Sequence, residues 1–159
     1  GVRFFDHMLE QIARHAGIGL SVLCEGDVDV DAHHTIEDVC LALGEALREA
    51  LGDKTGIGRY GFALPMDEAR ASVWIDLSGR PFWRFEGEIP GERVNDFPVE
   101  MTGHCFRSIA ESLRASIHVE VEGENAHHMI EGCFKAFARA LRQAVRIEDE
   151  ALPSTKGAL

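Results

Sequence analysis

Two stretches of the chain are copies of one another, and a duplication restricts the possible folds more than any local propensity does. Residues 31–51, opening Asp31-Ala-His-His-Thr-Ile-Glu-Asp, align without a gap on residues 125–145, opening Asn125-Ala-His-His-Met-Ile-Glu-Gly. Ten of the 21 paired positions are identical: Ala, His, His, Ile, Glu, then Ala, Ala, Leu, Arg, Ala. The match continues upstream, where Phe5-Asp6-His7-Met8-Leu9 with Ile12-Ala13 falls on Thr102-Gly103-His104-Cys105-Phe106 with Ile109-Ala110. The offset there is 97 instead of 94, a difference that a three-residue loop around Asp27–Asp29 absorbs. Between the matched segments, Leu20, Val22 and Cys24 alternate in one copy and Ile117, Val119 and Val121 in the other, the pattern of a strand with one buried face. Each copy therefore reads helix, strand, helix.

The second copy carries more in front. Ala71, Val73, Ile75 and Leu77 alternate, Ser78-Gly79 marks a turn, and Phe82 to Ile89 returns as a second strand. Residues 69–146 thus form a β-β-α-β-α half, followed by a tail over 147–159, and residues 53–68 connect them to a first half over 1–52. Only six residues precede His7, so the first half has no room for the same hairpin. Roughly 30 further N-terminal residues are expected to complete it in the parent polypeptide. The expected class is α/β (α+β), an internal duplication giving two mixed or antiparallel sheets with helices packed on one face of each, related by a pseudo-twofold.

Lys and Arg number 16 against 27 Asp and Glu, a formal charge of -11. That balance disfavours nucleic acid and anionic membrane as partners, so an anionic ligand needs a local cationic pocket. No apolar run approaches the ~20 residues that cross a bilayer, and the first residues lack the layout of a signal peptide, which points to the cytoplasm. Cys24, Cys40, Cys105 and Cys133 form no C-x-x-C pair and sit in apolar segments, as reduced core residues do.

Six of the eight histidines need a different explanation. On a helix, residues four apart share a face, so His33 with Glu37, and His127 with Glu131, can each chelate one ion. Their neighbours His34 and His128 are turned about 100° away and serve another ion. Ile36, Val39, Cys40, Leu43 and Leu47 define the core stripe of the first of these helices, which puts His33 at its edge and His34 nearly opposite, facing water or another subunit. Adding His7 and His104, the candidate ligands are His7, His33, His34, Glu37, His104, His127, His128 and Glu131, enough for two sites of three histidines and one carboxylate. Such nitrogen-rich sites suit Mn, Fe, Co, Ni or Zn, and open coordination positions imply catalysis. At least one site is expected to be assembled across a subunit interface.

With these residues in place, the sequence resembles the imidazoleglycerol-phosphate dehydratase family of histidine biosynthesis. The resemblance rests on residues 4–9 (FFDHML), 31–38 (DAHHTIED), 66–69 (MDEA), 78–81 (SGRP), 125–132 (NAHHMIEG) and 154–157 (STKG), in order along the whole chain. It implies a ribosomal-S5-domain-2-like duplicated fold, two manganese ions per active site, and a hollow 24-subunit assembly with sites between neighbours. It implies a lyase that removes water from D-erythro-imidazole glycerol phosphate to give imidazole acetol phosphate, with no organic cofactor. Arg59, Arg80, Ser154, Thr155 and Lys156 would hold the phosphate, and Glu131, Glu37 and His34 are the candidates for proton transfer. Read without the resemblance, the same constellation also suits a dinuclear metallohydrolase of phosphate esters or a non-catalytic metal-binding cage.

Overall fold

A computed structural model describes residues 1–61, 64–157 and 159. Phe62 and Ala63 of the connection and Ala158 of the tail lie outside the described residues. In chain order the elements are α1 (Arg3–Ala16), α2 (Ala32–Leu51), β1 (Tyr60–Gly61), β2 (Leu64–Met66), β3 (Ala69–Asp76), β4 (Phe82–Glu86), β5 (Arg93–Val94), β6 (Phe97–Pro98), α3 (Met101–Leu113), β7 (Ser116–Glu122) and α4 (Ala126–Ala144). The α/β class and both duplicated helix pairs follow the sequence pattern. Residues 53–68 do more than connect, because β1 and β2 both hydrogen-bond to β3.

The main sheet runs β1-β3-β7-β4, with β2 also on β3. β3 and β7 pair antiparallel over their length, from Arg70 opposite Glu122 to Asp76 opposite Ser116. Their alternation puts Ala71, Val73, Ile75, Ile117, Val119 and Val121 on the buried face, under α3 and α4. The expected β3–β4 hairpin does not form. β7 enters between the two strands and pairs parallel with β4, Phe82 facing Ser116 and Glu86 facing Glu120. A parallel pair needs a long crossover, and α3 supplies it. β4 also stops at Glu86 instead of Ile89, since Gly87 takes φ 129° and a Cβ there would lie 2.2 Å from the Val121 carbonyl oxygen.

The first-half strand over Leu20–Cys24 is likewise absent. Among the described residues no strand lies beside this segment to complete a ladder, and an unpaired strand has little to hold it. Leu23 is 93% exposed and Cys24 is exposed, so the core reading of the cysteines holds for Cys40, Cys105 and Cys133 only.

Helix pairing determines where the functional residues meet. α2 packs along α3 and α1 along α4, each pair joining one half to the other. Gly44 of α2 permits the first crossing: a Cβ there would fall 2.0 Å from Ser112 Oγ and 2.9 Å from the Ile109 carbonyl oxygen. α1 begins at Val2, which offers no side-chain cap. The cap comes from more than 90 residues along the chain: Asp96, in the turn between β5 and β6, accepts hydrogen bonds from the backbone N–H groups of Arg3 (2.6 Å) and Phe4 (3.0 Å). Fully buried Phe97 then packs on Phe4 and Phe5. Asp96→Ala is expected to cost about 1 kcal/mol in denaturant unfolding. It should also weaken metal binding through His7, one turn into α1, more than binding through the His33 cluster.

Candidate metal centres and active site

Both predicted helix pairs form, each started by a side-chain cap. Asp31 accepts from His33 N–H at 3.0 Å, and Asn125 accepts from His127 and His128 N–H at 2.9 and 3.3 Å. These caps fix the first turns on which the histidines sit.

The third member of each cluster comes from the opposite half. His7 of α1 joins His127 and Glu131 of α4, and His104 of α3 joins His33 and Glu37 of α2; in each group the ligand atoms lie within 4.8 Å of one another. His127 Nε2 is 3.0 Å from Glu131 Oε2 and His7 Nε2 is 3.9 Å from Glu131 Oε1. In the other cluster, His104 Nε2 is 3.0 Å from Glu37 Oε1 and His33 Nε2 is 3.9 Å from Glu37 Oε2. Ligand bonds of roughly 2.0–2.2 Å put ligand atoms about 3–4 Å apart, and the carboxylate–histidine separations of both clusters fall in that range. His104 Nε2 is buried and, despite its nearness to Glu37, lacks an aligned hydrogen-bond partner. A buried nitrogen left without a hydrogen-bond partner among the described residues is one that a bound cation can satisfy.

His34 and His128 join neither cluster. His34 is exposed, its ring centroid 5.7 Å from that of His33 in an edge-on arrangement. His128 is held by Glu68: Nδ1 lies 2.7 Å from Glu68 Oε2, while Glu68 Oε1 accepts from the Asn125 N–H at 3.0 Å.

The two clusters differ electrostatically. Glu131 is only 7% exposed, and that burial pushes its pKa up; hydrogen bonding and charge from Lys135 (Nζ 2.7 Å from Oε1), with His127 and His7, bring it below the usual carboxylate range. Leu41 stands on α2 where Lys135 stands on α4, so Glu37 has no lysine one turn along its own helix; contact with His104 lowers its pKa. The hydrogen bond from His128 brings Glu68 down to about 2, and the same bond raises the pKa of His128.

The residues assigned by resemblance to phosphate collect elsewhere. Arg59 donates through Nε and Nη2 to Asp76 and through Nη1 to the Pro153 carbonyl oxygen, so it braces the tail against the end of β3. Arg80 is exposed just beyond Gly79, against which Leu159 packs. In the tail, Ser154 Oγ accepts from the Lys156 N–H, and Thr155 and Lys156 are exposed. The Arg59 N–H also bonds to the Ala144 carbonyl oxygen at 2.7 Å. Glu131 and Ala144 are 13 residues apart on α4, roughly 20 Å, so within one chain the metal clusters and these residues occupy opposite ends of the sheet.

The family profile described as imidazoleglycerol-phosphate dehydratase matches residues 1–141. The chain belongs to the imidazoleglycerol-phosphate dehydratase family. It is 59% identical over its whole length to the histidine biosynthesis bifunctional protein HisB of Stenotrophomonas maltophilia strain K279a, and 55% identical to that of Actinobacillus pleuropneumoniae serotype 3. In both cases it covers 44% of the relative, so the chain spans about half the length of these curated proteins. Imidazoleglycerol-phosphate dehydratase from Staphylococcus aureus superposes with a TM-score of 0.87 at 38% identity, covering 92% of this chain and 84% of that one. The Pyrococcus furiosus enzyme, solved in complex with (S)-C348, gives 0.82 at 36% identity, covering 99% and 87%.

Within this dehydratase fold, Lys135 and Glu68 are the site residues that the repeat does not expose. Lys135 follows Glu131 by one turn and was findable from i, i+4 spacing; Glu68 sits 60 residues from His128 and reaches it only because the β2–β3 turn abuts the start of α4.

The Glu68–His128 pair makes stability depend on pH. The depressed carboxylate contributes stability that is present above its unfolded pKa near 4.5 and lost as pH falls toward about 2; the raised imidazole contributes stability present below 6.5 and lost as pH rises through its folded value. In metal-free protein the Tm difference between wild type and His128→Ala should be largest near pH 5–6 and close as pH falls toward 2, as followed by calorimetry across buffers.

Proposed function

We propose that this chain catalyses the elimination of water from D-erythro-imidazole glycerol phosphate to give imidazole acetol phosphate, using two divalent ions, manganese by the family resemblance. The observation that carries the reading is the pair of crosswise clusters, each two histidines and a carboxylate, in a chain that belongs to the dehydratase family.

His7, His127 and Glu131 hold one ion, and His33, Glu37 and His104 the other. His34 and His128 face outward from the same helix starts and offer nitrogens to ions held by another copy. Divalent ions at these positions supply Lewis acidity to the two nitrogens of the substrate ring, which lowers the cost of negative charge there. Of Glu37 and Glu131, both held ionised, one accepts the carbon-bound proton at a carboxylate oxygen. His34 gives the proton that leaves with the hydroxyl as water while the ring relays the electron pair, and the resulting enol tautomerises to the ketone.

Arg80, Ser154, Thr155 and Lys156 bind the phosphate by charge-assisted hydrogen bonds. Arg59 supports them through its hold on Pro153. An imidazole, three carbons and a phosphate are far too short to reach along ~20 Å of α4, so the ring and the phosphate of one substrate engage different copies. Self-association is therefore part of the active state, and the 24-subunit assembly of the family is its expected form.

With the full-length protein loaded with Mn2+, turnover of imidazole glycerol phosphate is expected alongside none of a generic phosphomonoester. The opposite selectivity would favour a hydrolase, and tight ion binding with no turnover of either would favour a storage cage. His104→Ala and Glu131→Ala should lose bound metal and activity together. His34→Ala should reduce bound metal as well and lower kcat by about 10²–10⁴-fold. Arg80→Ala should raise KM with metal content unchanged, and sedimentation should find no active monomer.

A further inference from the structure

His128 is the one histidine of the duplicated pairs that the described residues tie to a carboxylate outside its own helix and the facing one. The tie comes from the tight turn joining β2 to β3, where Met66 faces Ala69 across a two-residue loop and Asp67 takes φ 48°. That turn presents Glu68 to the first turn of α4 with both oxygens used. Oε1 receives the Asn125 N–H at 3.0 Å, and Oε2 lies 2.7 Å from His128 Nδ1. Asn125 is in turn the side-chain cap for His127 and His128. One carboxylate thus grips both the backbone at the cap and the ring that follows it.

A carboxylate only accepts hydrogen bonds, so the proton of the neutral imidazole is fixed on Nδ1 and the lone pair is left on Nε2. The ring is 32% exposed, and no described residue engages Nε2. We infer that Glu68 is a positioning residue for the dehydratase: it sets the tautomer and orientation of His128 so that Nε2 is presented as a metal ligand to an ion shared with another copy of the chain. This deepens the proposed function and rests on its assignment of His128 as a ligand. His34, the duplicated counterpart, has no carboxylate bound to it among the described residues, so the two outward histidines are prepared differently.

Glu68→Gln separates ring orientation from turn structure. The glutamine oxygen can still receive the Asn125 N–H, which aims its NH2 group at His128 Nδ1, forces that nitrogen to accept, and moves the ring proton to Nε2. The experiment uses full-length, assembled protein as wild type, Glu68→Gln, Glu68→Asp and His128→Ala. Two readouts are taken: ring-nitrogen NMR of histidine-labelled metal-free protein at a pH where the imidazoles are neutral, and Mn2+ titration followed by electron paramagnetic resonance.

The expected result is an Nδ1–H tautomer at His128 in wild type and Nε2–H in Glu68→Gln. One class of Mn2+ site should weaken by about 10–100-fold in Glu68→Gln, with the other class unchanged and at least part of the loss restored in Glu68→Asp. His128→Ala should remove the same class. If His128→Ala removes that class while Glu68→Gln keeps the wild-type tautomer and affinity, the positioning role is wrong and the ligand assignment stands. If His128→Ala leaves Mn2+ binding unaltered, the ligand assignment itself is wrong and the positioning role fails with it. Should Glu68→Gln not fold, Glu68→Ala replaces it: loss of the same class there supports the role and wild-type affinity overturns it.

Discussion

A nearly buried carboxylate, Glu131, has to be compensated, and much of the architecture around α4 does so. Taking a charged carboxylate out of water costs several kcal/mol unless cations or donors surround it. Lys135 closes on it from the next turn, His127 from the previous one, and His7 from α1 across the helix interface. The His7 contact exists only because α1 lies on α4, and α1 is started by Asp96 and seated by Phe97 from residues more than 90 positions away. The candidate metal centre is therefore supported by the same contacts that join the two halves.

The two clusters share a plan but differ in chemistry. Each is a helical i, i+4 pair completed by a histidine from the other half, with matching distances of 3.0 and 3.9 Å. Only one has a resident lysine on its carboxylate, because the second copy carries Lys135 where the first carries Leu41. An ion entering beside Glu131 meets a positive charge already paired with that carboxylate, whereas the site beside Glu37 offers a buried nitrogen with no aligned partner.

Much of this was legible in the sequence, for reasons that can be named. The repeat of H-H-x-x-E exposed both helix pairs because a 3.6-residue period fixes which side chains share a face. The same period placed His33 at the edge of the core and His34 in the open, as found. The alternation of Ala71, Val73, Ile75 and of Ile117, Val119, Val121 marked the two inner strands of the sheet. What the pattern could not convey was partnership between distant elements. Periodicity does not say which helix lies against which, so the crosswise sourcing of His7 and His104 was hidden. Nor does it say which strand sits beside which, so β7 was not seen entering between β3 and β4. Leu20–Cys24 has the alternation of a strand but, among the described residues, no neighbour to pair with. Glu68 and Asp96 act through single contacts 60 and more than 90 residues away, with no repeat to draw attention to them.

The crosswise arrangement also bears on how such a chain could arise. Neither half contains a complete cluster: α2 needs the histidine of α3, and α4 needs the histidine of α1. A single ancestral unit bearing one helix pair would therefore have held an ion only by lending its first helix to a second identical molecule and borrowing that molecule's in return, a self-complementary twofold dimer. Fusing two such genes would turn a concentration-dependent encounter into a permanent tether. In one joined chain the two nests need not be encoded by the same residues, and the lysine beside only one of them is a use of that freedom.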